Sequence, residues 1–100
     1  MKMITLVCAA GMSTSLLVTK MKEAAKKLGE EVEIRAVSER QFNKYEKDTD
    51  ILLLGPQVGF MLKKFKEKYE STGMAIEVIN SMDYGLMNGE KVLKTALSLK

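Results

Sequence analysis

The sequence predicts an α/β fold with one four-stranded parallel sheet, and three observations predict it. Residues 3–9 and 51–54 are short, nearly continuous apolar runs, which suit strands buried on both faces of a parallel sheet. Residues 32–37 and 75–79 are also strand-like but carry charges at Glu33, Arg35 and Glu77, which marks them as sheet edges. Each of these runs is followed by a stretch with apolar residues at helical spacing, so strand and helix alternate along the chain. Right-handed crossovers, with two central and two edge strands, then select the spatial order 2-1-3-4 with helices on both faces. A chain of 100 residues has apolar surface for a single core, so 1–100 reads as one domain.

Taken in order, the first strand ends at Cys8-Ala-Ala-Gly-Met-Ser-Thr-Ser, a segment of small residues leading into the first helix. That helix carries the stripe Leu16, Leu17, Met21, Ala24, Ala25 and Leu28, and Gly29 is placed to cap its end. The second strand alternates Val32, Ile34 and Ala36 with Glu33 and Arg35. After it, Ser38 and Gln41 have capping-box spacing before a short helix carrying Phe42 and Tyr45. Pro56, after the third strand, suits the first turn of a helix whose stripe is Val58, Met61, Leu62, Phe65 and Tyr69. The last helix buries Val92, Leu93, Ala96 and Leu97.

Composition narrows the chemistry. The chain has 46% hydrophobic and 29% charged residues and a net charge of +3, ordinary for a globular protein. Lys63, Lys64, Lys66 and Lys68 form the one dense basic patch and read as the wet face of a helix, so no nucleic-acid partner is expected. A single cysteine excludes an internal disulfide and a Cys-x-x-Cys redox pair. The absence of histidine removes imidazole triads and histidine zinc sites, and no metal or other cofactor is expected. The N-terminal apolar run is short for a signal peptide and is needed as the first strand. No run approaches the roughly 18 apolar residues of a span, so the expectation is a cytoplasmic chain without direct membrane insertion.

In the order 2-1-3-4 the connections reverse direction between strands one and three, and ligands of open α/β sheets bind there, beyond the carboxyl ends of the strands. Two segments meet at that point, Cys8 to Ser15 and Gly55 to Gly59. A loop of small residues before a helix can turn its N–H groups inward as an anion nest, and the helix terminus adds partial positive charge. Cys8 is therefore the candidate nucleophile, with a phosphoryl group on its sulfur held by Ala9, Ala10, Gly11, Met12, Ser13, Thr14 and Ser15. The competing structural reading makes Cys8 a small core residue and the hydroxyls helix caps. A Cys-x5-Arg phosphatase loop is not present, because Thr14 occupies the arginine position; a slow phosphatase and a non-covalent anion binder remain as alternatives.

Three segments, Cys8-Ala-Ala-Gly-Met-Ser-Thr-Ser, Leu54-Gly-Pro-Gln-Val58 and Ser81-Met-Asp-Tyr-Gly85, resemble the IIB component of the sugar phosphotransferase system, lactose/cellobiose/diacetylchitobiose class. The resemblance runs over essentially the whole chain. It implies a carrier that accepts phosphate on Cys8 from a histidine of a IIA partner and passes it to a sugar held by a membrane IIC transporter. It leans toward a β-linked disaccharide such as cellobiose or diacetylchitobiose. It also places Gln57, Val58 and Tyr84 at the border of the site. Transient handover suggests a monomer.

Overall fold

The computed structural model describes residues 1–8 and 11–99, the side chains of residues 11–13 excepted. Strands β1 (Lys2–Cys8), β2 (Val32–Ser38), β3 (Ile51–Leu54) and β4 (Ala75–Val78) form one sheet in the order β2-β1-β3-β4. All its pairings are parallel, with Ile4 opposite both Ile34 and Ile51, and Leu52 opposite Ile76. Fold class and strand order are as the sequence predicts. The two-residue period of the strands divides the core. Ile4, Leu6, Ile51 and Leu53 face one side, and Val7, Leu52 and Leu54 face the other.

On the first side lie α1 (Gly11–Leu28) and α4 (Gly89–Ser98), with the short α3 (Ser81–Gly85) leading into α4. Helix α1 buries Leu17, Val18, Met21, Ala24 and Ala25. Leu16 and Leu28, expected in this stripe, are 50% and 41% exposed. Leu16 lies a full 100° step off Leu17, on the flank away from Val18 and Ala25. Leu28 is the helix's last residue, where Gly29 turns the chain left-handed at φ 70. There Glu30 N–H donates to Ala25 O (2.9 Å) and Gly29 N–H to Lys26 O (3.3 Å), so the expected glycine cap forms. Val92, Leu93 and Ala96 of α4 are buried, and Leu97 is half-buried.

The second side has one short α-helix, α2 (Leu62–Tyr69), and 3-10 turns at Phe42–Lys44, Glu46–Asp48, Pro56–Met61 and Glu70–Thr72. The capping box expected at Ser38 does not form. Ser38 is still in β2, opposite Cys8, and the first 3-10 turn starts from Gln41 with no side-chain cap. Phe42 is nonetheless buried, meeting Phe65 and Tyr69 edge-to-face at 5.8 and 5.4 Å between centroids. Pro56 opens its helical segment as expected, in 3-10 form, with a kink at Val58 before α2 begins. Lys63, Lys64, Lys66 and Lys68 are exposed.

Candidate functional site

Cys8 is the last residue of β1, a central strand, and is buried. On one side it pairs with Ser38. On the other, Gly55 N–H donates to Val7 O (2.8 Å), which extends the β1–β3 ladder past Leu54 and sets Gly55 beside the cysteine. The approach is close: a Cβ on Gly55 would stand 3.3 Å from Cys8 Cβ and 3.1 Å from Gln57 Oε1. Glycine thus leaves room for the exposed Gln57 to fold its amide oxygen back toward Cys8.

Helix α1 already begins at Gly11, so only Ala9 and Ala10 separate it from Cys8. Those two residues, expected in the phosphate loop, lie outside the described residues, as do the side chains of Met12 and Ser13. What was expected as a long loop is mostly the first turn of a helix. The opening N–H groups of an α-helix have no partner within it, and they carry its partial positive charge. Here that terminus, at Gly11, stands three residues beyond the candidate nucleophile.

The hydroxyls are used differently from expectation. Thr14 is the fourth residue of α1 and cannot be its N-cap. Its Oγ1 is hydrogen-bonded to Tyr84 Oη at 3.1 Å, in a pair where Thr14 is 1% and Tyr84 7% exposed. Ser15 is exposed on the same helix. Val58, expected at the border, is buried in the core with Leu54 and Phe65. The structure therefore brings Cys8, Gly55 and Gln57 together, joins Thr14 to Tyr84, and turns Val58 inward.

Neither arginine stands in the β1–α1 connection. Arg35 Nε–H donates to Thr5 Oγ1 (3.0 Å), its Nη2 donates to Tyr45 O (3.3 Å), and its guanidinium lies 4.4 Å from the centre of the Tyr45 ring. Arg40 is exposed in the turn after β2. Asp83 is buried on α3 and pairs with Lys91 Nζ at 3.6 Å. Among the described residues no three of His, Cys, Asp and Glu gather to hold a metal ion, and no helix is long and apolar enough to cross a membrane. Three large apolar side chains on the segments that follow β3 and β4, Phe60, Met82 and Leu86, are 83%, 71% and 71% exposed, which the sequence reading does not anticipate. The available signal was Phe60 lying off the stripe formed by Val58, Met61 and Leu62.

Comparison with known proteins adds an independent line. Residues 3–95 match the family described as PTS system, lactose/cellobiose-specific IIB subunit. The chain belongs to that family. It is accordingly a phosphotransferase component of a sugar-transporting phosphotransferase system. It is 44% identical over 99 residues to the oligo-β-mannoside-specific EIIB component of Bacillus subtilis, covering 99% of this chain and 96% of that one. It is 48% identical over 103 residues to the galactose-specific EIIB component of Lactococcus lactis subsp. cremoris, covering 98% and 95%. The solution structure of the cellobiose-specific IIB component from Borrelia burgdorferi superposes with a TM-score of 0.80 at 42% identity, covering 98% of this chain and 90% of that one.

Proposed function

We propose that this IIB component is a single-domain cytoplasmic phosphoryl carrier working through Cys8. The sulfur attacks the phosphorus of a phosphohistidine on a IIA partner. An S–P bond forms as the N–P bond breaks, and the imidazole leaves with the bonding pair. In the second step a hydroxyl of a sugar bound by a membrane IIC transporter attacks the phosphorus; an O–P bond forms as the S–P bond breaks, sulfur leaves with the bonding pair, and the hydroxyl proton is released to solvent. A β-linked disaccharide such as cellobiose or diacetylchitobiose is the proposed sugar class, in keeping with membership of a lactose/cellobiose family.

The observation that carries the reading is Cys8 at the end of a central strand with the start of an 18-residue helix three residues beyond it. Phosphate oxygens there would meet backbone N–H donors of Ala9 to Thr14 and the positive end of the helix. Gln57, folded toward Cys8 past Gly55, is the proposed side-chain neighbour. Handover rather than hydrolysis is supported by the engagement of Arg35 with Thr5 and Tyr45, which keeps its fork from the phosphate oxygens that a phosphatase arginine would grip.

Incubation with the donor proteins and labelled phosphoenolpyruvate, followed by mass spectrometry, tests this. The unmutated chain should carry one label, on Cys8, and keep it until a IIC acceptor with sugar is added. Cys8→Ser should fold and take none. Label at full occupancy on another residue, or brisk release by the chain alone, would overturn the carrier reading.

A further inference from the structure

Thr14 and Tyr84 lie 70 positions apart, yet their buried hydroxyls meet at 3.1 Å. Thr14 is one turn into α1, the helix that starts beside Cys8, and Tyr84 is on α3, which follows β4. Helix α3 is itself firmly held. Asn80 Oδ1 accepts from Met82 N–H (2.9 Å) and Asp83 N–H (3.1 Å), Asn88 N–H donates to Asp83 O (2.9 Å), and Asp83 pairs with Lys91. The α3–α4 unit then sits directly on the α1 backbone, since a Cβ on Gly89 would stand 2.5 Å from the carbonyl carbon of Lys20. So α1 is gripped at Lys20 by shape and at Thr14 by a hydrogen bond.

The ring of Tyr84 packs in the apolar cluster that also holds Leu17 and Val18, and a phenylalanine would fill that space equally well. A buried hydroxyl needs a partner and accepts few geometries, so the pair fixes position where apolar contact alone would leave freedom. We propose that Tyr84 is a positioning residue: through Thr14 it fixes the first turn of α1, and with it the N–H groups that receive the phosphoryl group. This rests on the phosphocysteine reading above. Transfer depends on donors standing in place as charge develops on the phosphoryl oxygens. A loosened turn therefore lowers the maximal rate of phosphoryl uptake and leaves the donor concentration for half-maximal rate unchanged.

Two measurements on Tyr84→Phe, Thr14→Val and Thr14→Ser test the proposal. Amide hydrogen exchange in the unphosphorylated chain reads the clamp itself, at residues 15–18, the first amides bonded within α1. Thr14→Val should speed exchange there about tenfold, the size expected for one lost hydrogen bond, Tyr84→Phe should speed it at least as much, and Thr14→Ser should restore most of the protection. Phosphoryl uptake from the donor, measured where each variant is fully folded, reads positioning. Tyr84→Phe and Thr14→Val should each lower the maximal rate, the double variant should be no slower than Tyr84→Phe alone, and Thr14→Ser should recover most of what Thr14→Val loses. Unchanged exchange, an unchanged maximal rate, or an effect confined to the half-maximal donor concentration would overturn it. If the unmutated chain takes no phosphate on Cys8, the carrier reading falls by that result, and the exchange rates still decide for or against the clamp.

Discussion

One face of the sheet is covered by α1 and α4, two regular helices seated through Leu17, Met21, Val92 and Leu93. The other is covered by a single two-turn helix and a string of 3-10 turns, and part of its attachment is polar. Under that second cover, Thr5 is fully buried in the middle of β1, and its Oγ1 lies 2.8 Å from Thr49 Oγ1 and accepts from Arg35 Nε–H. Thr49 Oγ1–H donates to Tyr45 O (2.8 Å), so its one proton is spent there and Thr5 must be the donor between the two threonines. A directed chain thus runs from Arg35 through Thr5 and Thr49 to the backbone of the 3-10 turns. The first cover is fixed by shape and apolar area, with the Thr14–Tyr84 hydrogen bond at the start of α1, and the second by shape plus a polar network that reaches into the sheet.

If that contrast is right, the first face should be most vulnerable to added volume. Gly89 has no space for a side chain: a Cβ would stand 2.5 Å from Lys20 C and 2.6 Å from Met21 N, both backbone atoms that cannot rotate away. Gly89→Ala should push α4 off α1 and cost about 3 kcal/mol, the upper part of the range for overpacking. Urea unfolding measures this, and a loss under about 1 kcal/mol would show that the helices slide apart more easily than the close approach implies.

The same contrast explains what the sequence revealed. Strand order was legible because the apolar runs at Ile4 and Leu52 and the charges at Arg35 and Glu77 separate central from edge strands without any knowledge of partners. Helix α1 was legible from its stripe, though not its start. Ser13, Thr14 and Ser15 are ordinary turn and cap residues, and read as a loop; the partner that buries Thr14 is a tyrosine 70 positions on. The place of Cys8, at the end of a central strand, was legible from the apolar run that precedes it. Val58 was legible as a member of the apolar stripe and is buried there; the kink at its own position was not legible. Residues 39–50 were least legible, since their anchors are hydrogen bonds to β1 and β2 with no period along the chain.

On the second face the sharper probe removes a hydroxyl and keeps the shape. Thr5→Val fills the same volume but deprives Arg35 Nε–H of its acceptor and Thr49 Oγ1 of its shorter donor, leaving it the 3.4 Å bond from Arg35 Nη2. The expected loss is about 1–2 kcal/mol, the cost of leaving buried polar groups unpaired. Thr49→Val, which breaks the same chain one link later, should add little to it in the double variant. Full additivity would mean that the two threonines act separately and that no directed chain exists.

The smallest effect lies at the outer edge of that face, where Tyr69 of α2 meets Glu46 of the second 3-10 turn. Burial, then the hydrogen bond to the Glu46 carboxylate and its charge, raise the Tyr69 phenol from 10.0 to about 12. A raised value means that the folded chain holds this proton more tightly than the unfolded one. Its contribution is complete below pH 10, where both states are protonated, and is lost as pH climbs from about 10 through about 12. Tyr69→Phe keeps the ring stacked on Phe65, 6.0 Å between centroids, and has no proton to lose. Lysines titrate in the same range but are common to both proteins, so the difference between the two stability curves isolates the phenol. The unmutated chain should be the more stable at pH 9, and its advantage should shrink steadily toward pH 12. A difference that stays constant across that range would mean the Glu46 carboxylate does not hold the phenol proton, and that the turn at Glu46–Asp48 rests on α2 through apolar contact alone.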